Sequence, residues 1–98
     1  MHITIRQYKT DSPKEVTRFV NEGFFRLIGK VAGFVAYYGI ETGEDSWLSI
    51  SVFVTAAGAE KSNRVAAKFI KDNPDLVRLV KSTQEVVAGP AVVALERP

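Results

Sequence analysis

The sequence predicts an α+β domain in which two helices cover one face of an antiparallel sheet. Three features carry that reading. His2 to Lys9 alternates with a period of two, two stretches around 16–31 and 62–70 repeat apolar residues at three- and four-residue steps, and two β-rich runs are joined by turn residues.

In the first strand Ile3 and Ile5 share one side, and Thr4, Arg6 and Tyr8 the other. Asp11-Ser12-Pro13 ends it. Ser12 stands as an N-cap, Pro13 at the first helical position and Glu15 three residues on, the pattern of a capping box. The helix that follows carries Val16, Phe19, Val20, Phe24, Leu27, Ile28 and Val31 as its inward stripe. Gly23 marks a close approach to the sheet or a bend, and Gly29 and Gly33 mark the end.

Phe34 to Glu41 and Ser46 to Thr55 are β-branched, aromatic or small, and Thr42-Gly43-Glu44-Asp45 between them is turn chemistry, so the pair is a hairpin. Thr55 caps a second helix over 56–72, with Ser62, Val65, Ala66, Phe69 and Ile70 inward and Lys61, Arg64, Lys68 and Lys71 outward. Asn73-Pro74 breaks it, a helical turn through Leu76 to Val80 follows, and a last strand spans 84–95. Pro90 cannot donate to a ladder, which predicts a bulge or an edge. The order is ferredoxin-like βαββαβ, an antiparallel sheet with two helices on one face. In the third strand Leu48, Ile50, Val52 and Val54 oppose Trp47, Ser49, Ser51 and Phe53, so neither side is built for bulk water. A second sheet is the simplest cover, which predicts a homodimer through the sheet face.

A chain of 98 residues is one domain, and folding at this size removes about 60 to 70% of its surface from water. Its 46% hydrophobic and 24% charged residues are ordinary for a globular domain. Cysteine is absent, which excludes disulfides, thiolate metal sites and a cysteine nucleophile and makes the cytoplasm the expected compartment. No secretory leader or membrane span is read in the sequence. Thirteen basic and 11 acidic residues leave a net charge of +2, too slight to argue for nucleic acid or membrane as a partner.

The βαββαβ order, the Gly33-Phe34 opening of the second strand, the hairpin, and the Ser51-Val52-Phe53 strand end followed by an Ala- and Glu-containing helix resemble the antibiotic biosynthesis monooxygenase-like domains of the dimeric α+β barrel superfamily. The likeness covers nearly the whole chain, and the run 58–64 resembles small bacterial members. It implies a homodimeric barrel with a cavity between sheet and helices in each subunit. Some members oxidise aromatic polyketides with oxygen and no metal or flavin, and others degrade haem. The best-studied monooxygenases use an Asn, a Trp and a Tyr near the cavity. Phe53 resembles the counterpart of the strand Trp and lacks its indole N–H, and the second helix has no His of the haem-degrading kind.

The candidate substrate-binding residues are Phe34, Tyr37, Trp47, Ser51, Phe53, Asn63 and Phe69, set against a plain packing role for each. Tyr37 and Tyr38 point to opposite sides of their strand, so one faces the helices. Asn63, mildly unfavourable in a helix, is held by the sheet or a ligand, or is a surface residue. His2, the one histidine, sits beside the start Met and makes a poor general base. No metal-ligand spacing, phosphate loop or dinucleotide fingerprint occurs, so no cofactor is expected. The segment 33–37 looks like an RNA-binding aromatic motif but lies on the second strand instead of the third. Three functions remain: a cofactor-independent monooxygenase acting on a small aromatic substrate, a non-catalytic or stress-associated small-molecule binder and, ranked last, an RNA binder.

Overall fold

The computed structural model describes residues 1–97, with the backbone alone at 82–85. Strand β1 (His2–Thr10) leads into α1 (Pro13–Phe19), a π-helical turn (Val20–Phe24) and α2 (Phe25–Ile28). The hairpin β2 (Phe34–Glu41) and β3 (Ser46–Phe53) follows, then α3 (Ala56–Asp72), α4 (Pro74–Leu79) and β4 (Val80–Pro90). The strands form one antiparallel sheet in the order β2-β3-β1-β4, the ferredoxin-like arrangement.

The first helical run departs from the expected regular helix. Val16, Val20, Phe24 and Ile28 are spaced by four, whereas an α-helix turns every 3.6 residues, so every fourth side chain drifts by about 40°. The wider turn at Val20–Phe24 absorbs that drift and keeps Val16, Phe24 and Ile28 buried. Leu27, expected inward, is turned out and 43% exposed, and the Arg18 guanidinium lies 4.7 Å over the half-buried Phe19 ring. Gly23 makes room for α3 and not the sheet: a Cβ there would lie 3.2 Å from the Phe69 ring.

The capping box also fails to form. Ser12 places no side-chain bond on the helix, its own N–H donates to Thr10 Oγ1 at 3.1 Å, and Glu15 is taken by Arg18 at 2.7 Å. The predicted Thr55 cap does form, accepting from the Gly58 N–H at 3.1 Å. On the outer face of α3, Glu60 pairs with Arg64 and Asp72 with Lys68.

Strand β4 starts at Val80, earlier than expected, because α4 delivers the chain directly opposite Thr10, and it ends at Pro90. Its register shifts fall between Gln7 and Tyr8 and between Lys9 and Thr10 and not at Gly89-Pro90, while Pro90 closes an edge strand, where its missing N–H costs no ladder bond.

Alternation assigns the two faces. Thr4, Arg6, Tyr8 and Thr10 of β1 and Trp47, Ser49, Ser51 and Phe53 of β3 are all buried beneath the helices. Tyr37 pairs with Ser51 and joins that side, whereas Tyr38 pairs with Ile50 and is 59% exposed on the opposite side with Ile40. Ile3, Ile5, Leu48, Ile50 and Val52 also line the helix-free face. Under the helices the core falls into two clusters. Phe24, Ile28, Val31, Phe53, Ala59 and Ala66 form one, and Tyr8, Val16 and Trp47 the other, with Val20 and Tyr37 packed against both.

Gly58 lies where α3 comes down on β3. A Cβ there would lie 2.8 Å from the Phe53 ring and 2.9 Å from the Ala32 carbonyl oxygen. Helix propensity favours Ala over Gly by about 1 kcal/mol, and overpacking against backbone costs about 1–3 kcal/mol. Gly58→Ala is therefore expected to lower the urea midpoint with an unchanged m-value, while Gly89→Ala, whose Cβ would meet nothing within 4 Å, stays within about 0.5 kcal/mol of the parent.

Candidate functional site

The most unusual group under the helices is Arg6. It occupies a central strand, is only 3% exposed, and is answered by neutral acceptors alone among the described residues. Its Nη1 donates to Asn63 Oδ1 at 2.7 Å and to Ser62 Oγ at 3.4 Å, and its Nη2 donates to Ser51 Oγ at 3.0 Å. Ser62 is free to accept because its hydroxyl proton goes to the Ala59 carbonyl at 2.6 Å, and Asn63 Oδ1 accepts a second bond from Thr4 Oγ1 at 3.0 Å. Two buried polar atoms have no partner among the described residues: Arg6 Nε and Ser49 Oγ, which belong to directly paired positions of β1 and β3.

Two phenols flank the guanidinium. Burial raises the Tyr8 pKa above the ordinary phenol value, and the nearby Arg6 charge only partly opposes this. Burial raises Tyr37 further, again against the pull of Arg6. Both are therefore neutral hydroxyls at physiological pH, able to donate as well as accept.

Beside these groups lies a cavity of about 30 Å³, bounded by Arg6, Tyr8, Val16, Val20, Phe24, Tyr37, Trp47, Ala66, Phe69, Ile70, Leu76 and Val80. As it stands it has room for about two waters. An outer cleft of about 290 Å³, lined by Thr17, Val20, Asn21, Phe25, Tyr37, Gly39 and Trp47, shares Val20, Tyr37 and Trp47 with it. These three side chains are a common wall between the inner cavity and the surface. Gly39 is required there, because any Cβ would overlap the Trp47 indole. The indole Nε1 donates to Thr17 Oγ1 at 3.0 Å, and that hydroxyl donates to Glu41 Oε2 at 2.6 Å, which fixes the ring from the outer side.

Of the residues singled out from sequence, Tyr37, Trp47 and Phe69 border the cavity, with the Phe24 ring between Tyr37 and Phe69 and steeply inclined to both, at centroid distances of 5.3 and 5.4 Å. Ser51 and Asn63 reach it only through Arg6. Phe34 and Phe53 pack edge to face at 5.8 Å in the neighbouring core cluster and do not line it. Arg6 and Tyr8 were not among the candidates, since the Ile3 and Ile5 side of β1 is the more apolar. The available signal was pairing: β3 puts Ser49 and Ser51 beside Trp47 and Phe53, and the polar side of β1 matches that side in kind.

Among the described residues no cluster of three His, Cys, Asp or Glu side chains can hold a metal, and no helix is long and apolar enough to cross a membrane. No family model and no curated protein matches the chain. Solved structures do. NE2512 of Nitrosomonas europaea, a protein of unknown function, superposes with a TM-score of 0.77 at 13% identity, covering 99% of this chain and 94% of that one. ActVA-Orf6 of Streptomyces coelicolor, a monooxygenase solved with nanaomycin D, gives 0.73 at 11% identity over 99% and 92%. SnoaB of Streptomyces nogalater, a cofactor-independent oxygenase, gives 0.70 at 16% identity over 98% of each chain. With this strand order, this helix placement and these likenesses, the chain has the antibiotic biosynthesis monooxygenase-like fold.

Proposed function

We propose that the protein is a cofactor-independent monooxygenase-like protein that takes a small planar aromatic molecule between sheet and helices. The observation that carries this reading is the shared wall of Val20, Tyr37 and Trp47, behind which an apolar cavity lies beside two phenols and a guanidinium. The outer cleft alone is near the lower end of the volumes of small-molecule sites, about 300 Å³, and displacement of Val20 or Tyr37 would join it to the cavity. Oxidation of an anthrone-type methylene needs no reductant: one atom of O₂ becomes the new carbonyl oxygen and the other leaves as water with the two methylene hydrogens. The protein's share of such a reaction is to bind, orient and exclude water.

A second reading, a binder without turnover, is favoured by the small inner volume and by a lining that, among the described residues, offers neither histidine nor carboxylate to remove a proton. Oxygen uptake separates the two. Anthrone- or hydroquinone-type compounds under air are expected to consume oxygen faster with the protein than without it, and to quench Trp47, the one tryptophan, saturably. Val20→Phe, with helix content checked by circular dichroism and Trp47 still the one tryptophan, is expected to abolish both. Saturable quenching without oxygen uptake selects the binder.

The working form we infer is a homodimer joined through the helix-free face. Support comes from Ile3, Ile5, Leu48, Ile50 and Val52 on that face and from Tyr38, an amphipathic ring left more than half exposed. Light scattering is expected to give twice the chain mass, and Ile50→Glu to give the monomer mass.

Buried neutral phenols also tie stability to pH. Tyr8 and Tyr37 hold their protons above the unfolded phenol pKa of about 10, so their contribution is complete below pH 10 and is lost as pH rises through the higher folded values. Denaturant midpoints are expected to fall above pH 10, less steeply in Tyr37→Phe. The phenolate absorbance removed by that substitution is expected to have its midpoint above 10.

A further inference from the structure

We infer that the cavity is a receptor for an anionic oxygen, so that its ligand is a planar apolar molecule bearing a carboxylate or an ionised phenol. The inference rests on the proposed use of the cavity for small molecules and adds the chemical class of what enters it.

A fully desolvated cation is costly unless a counter-charge or a complete set of hydrogen bonds replaces water. Among the described residues Arg6 has neither. Its three acceptors, Ser51, Ser62 and Asn63, are all neutral, and its Nε is left without one. The remaining orphan, Ser49 Oγ, is across the ladder from it and can donate. Arg6 itself lines the cavity, as do Tyr8 and Tyr37, whose hydroxyls keep their protons at neutral pH. The polar groups behind this wall are thus rich in donors and carry one positive charge with no counter-charge among the described residues, while the surface the cavity itself presents is almost wholly apolar. An anionic oxygen that reaches them as Val20 or Tyr37 is displaced would meet the orphan donor and neutralise the charge. The apolar remainder of the ligand would lie toward Phe24, Phe69 and Trp47. A purely apolar ligand would leave the charge unanswered, and a cation would add to it. Burial strengthens the selection, because a charge-assisted bond formed away from water is less screened than one at the surface.

The test uses the wild-type chain with matched ligands, read by Trp47 fluorescence at pH 7. 2-Naphthoate is expected to bind at least about tenfold more tightly than its methyl ester, and Arg6→Met to bring the two affinities together while the ester's is retained. In a second arm, bound 4-nitrophenol is expected to ionise at least about one pH unit below the free compound, read from its phenolate absorbance. A positive first arm alone identifies carboxylates as the anion, and a positive second arm alone identifies phenolates. Equal binding of naphthoate and ester in the wild type, with no lowered ionisation of nitrophenol, overturns the inference and leaves the cavity standing as an apolar small-molecule site. Failure of every compound to bind overturns both. Because the comparison between ligands is made in the wild-type protein, the result stands whether or not Arg6→Met folds.

Discussion

An arginine buried beneath a helix dictates the composition of everything around it. Arg6 can stay at that depth because β3 presents Ser51 and α3 presents Ser62 and Asn63 at its nitrogens, and because Ser62 spends its own proton on its helix. In a domain of this size each of those positions would otherwise hold an aliphatic side chain and contribute burial. The network also joins three elements distant in sequence, β1, β3 and α3, and so fixes how α3 lies across the sheet. Burial of an ion is weak evidence for stability, since apolar replacements of similar shape often do as well or better. The arrangement is better explained by what the charge can attract.

The packing around Arg6 leaves a seam. Two core clusters meet at Val20 and Tyr37, and the cavity opens along that junction. Interiors normally fill such gaps, because unfilled space forfeits dispersion contacts. Here the aromatic rings of Phe24, Tyr37 and Phe69 stand against one another with no side chain at Gly23 to push Phe69 inward. The same junction faces the outer cleft, where Trp47 is held by Thr17 and accommodated by the bare backbone of Gly39. Rigid support on one side and a thin wall on the other would let the proposed ligand enter past Val20 and Tyr37 while Trp47 stays in place.

Most of the fold was legible because it rests on local signals. Alternation in β1 and β3, the Thr55 cap, the Asn73-Pro74 break and the turn at Thr42–Asp45 each act over a few residues. What could not be read depended on contacts between elements. Glu15 pairs with Arg18 in place of closing the cap, and β4 begins where Thr10 meets it. The site was partly legible for the same reason. Tyr37, Trp47 and Phe69 stand out by type, whereas Arg6 lies in a strand whose opposite side carries the isoleucines, and its depth is set by side chains 45 to 57 positions away. The π-helical turn had a trace in the strict spacing of Val16, Val20, Phe24 and Ile28, which fits a regular helix poorly.

That turn gives the first helical run an unusual tolerance of length. A π-helical turn holds one residue more than an α-helical one, so removing a single residue from 20–24 could be absorbed by tightening the winding and leaving both flanking helices whole. The change would not be silent. Val16 and Phe24 would then stand seven α-helical residues apart, within about 20° of one face, so the flanking helices would keep their faces and the change would fall on the turn itself, around Val20 in the cavity wall. Chain length at this one place therefore acts as a setting for the shape of the seam, adjustable without altering any residue that lines it.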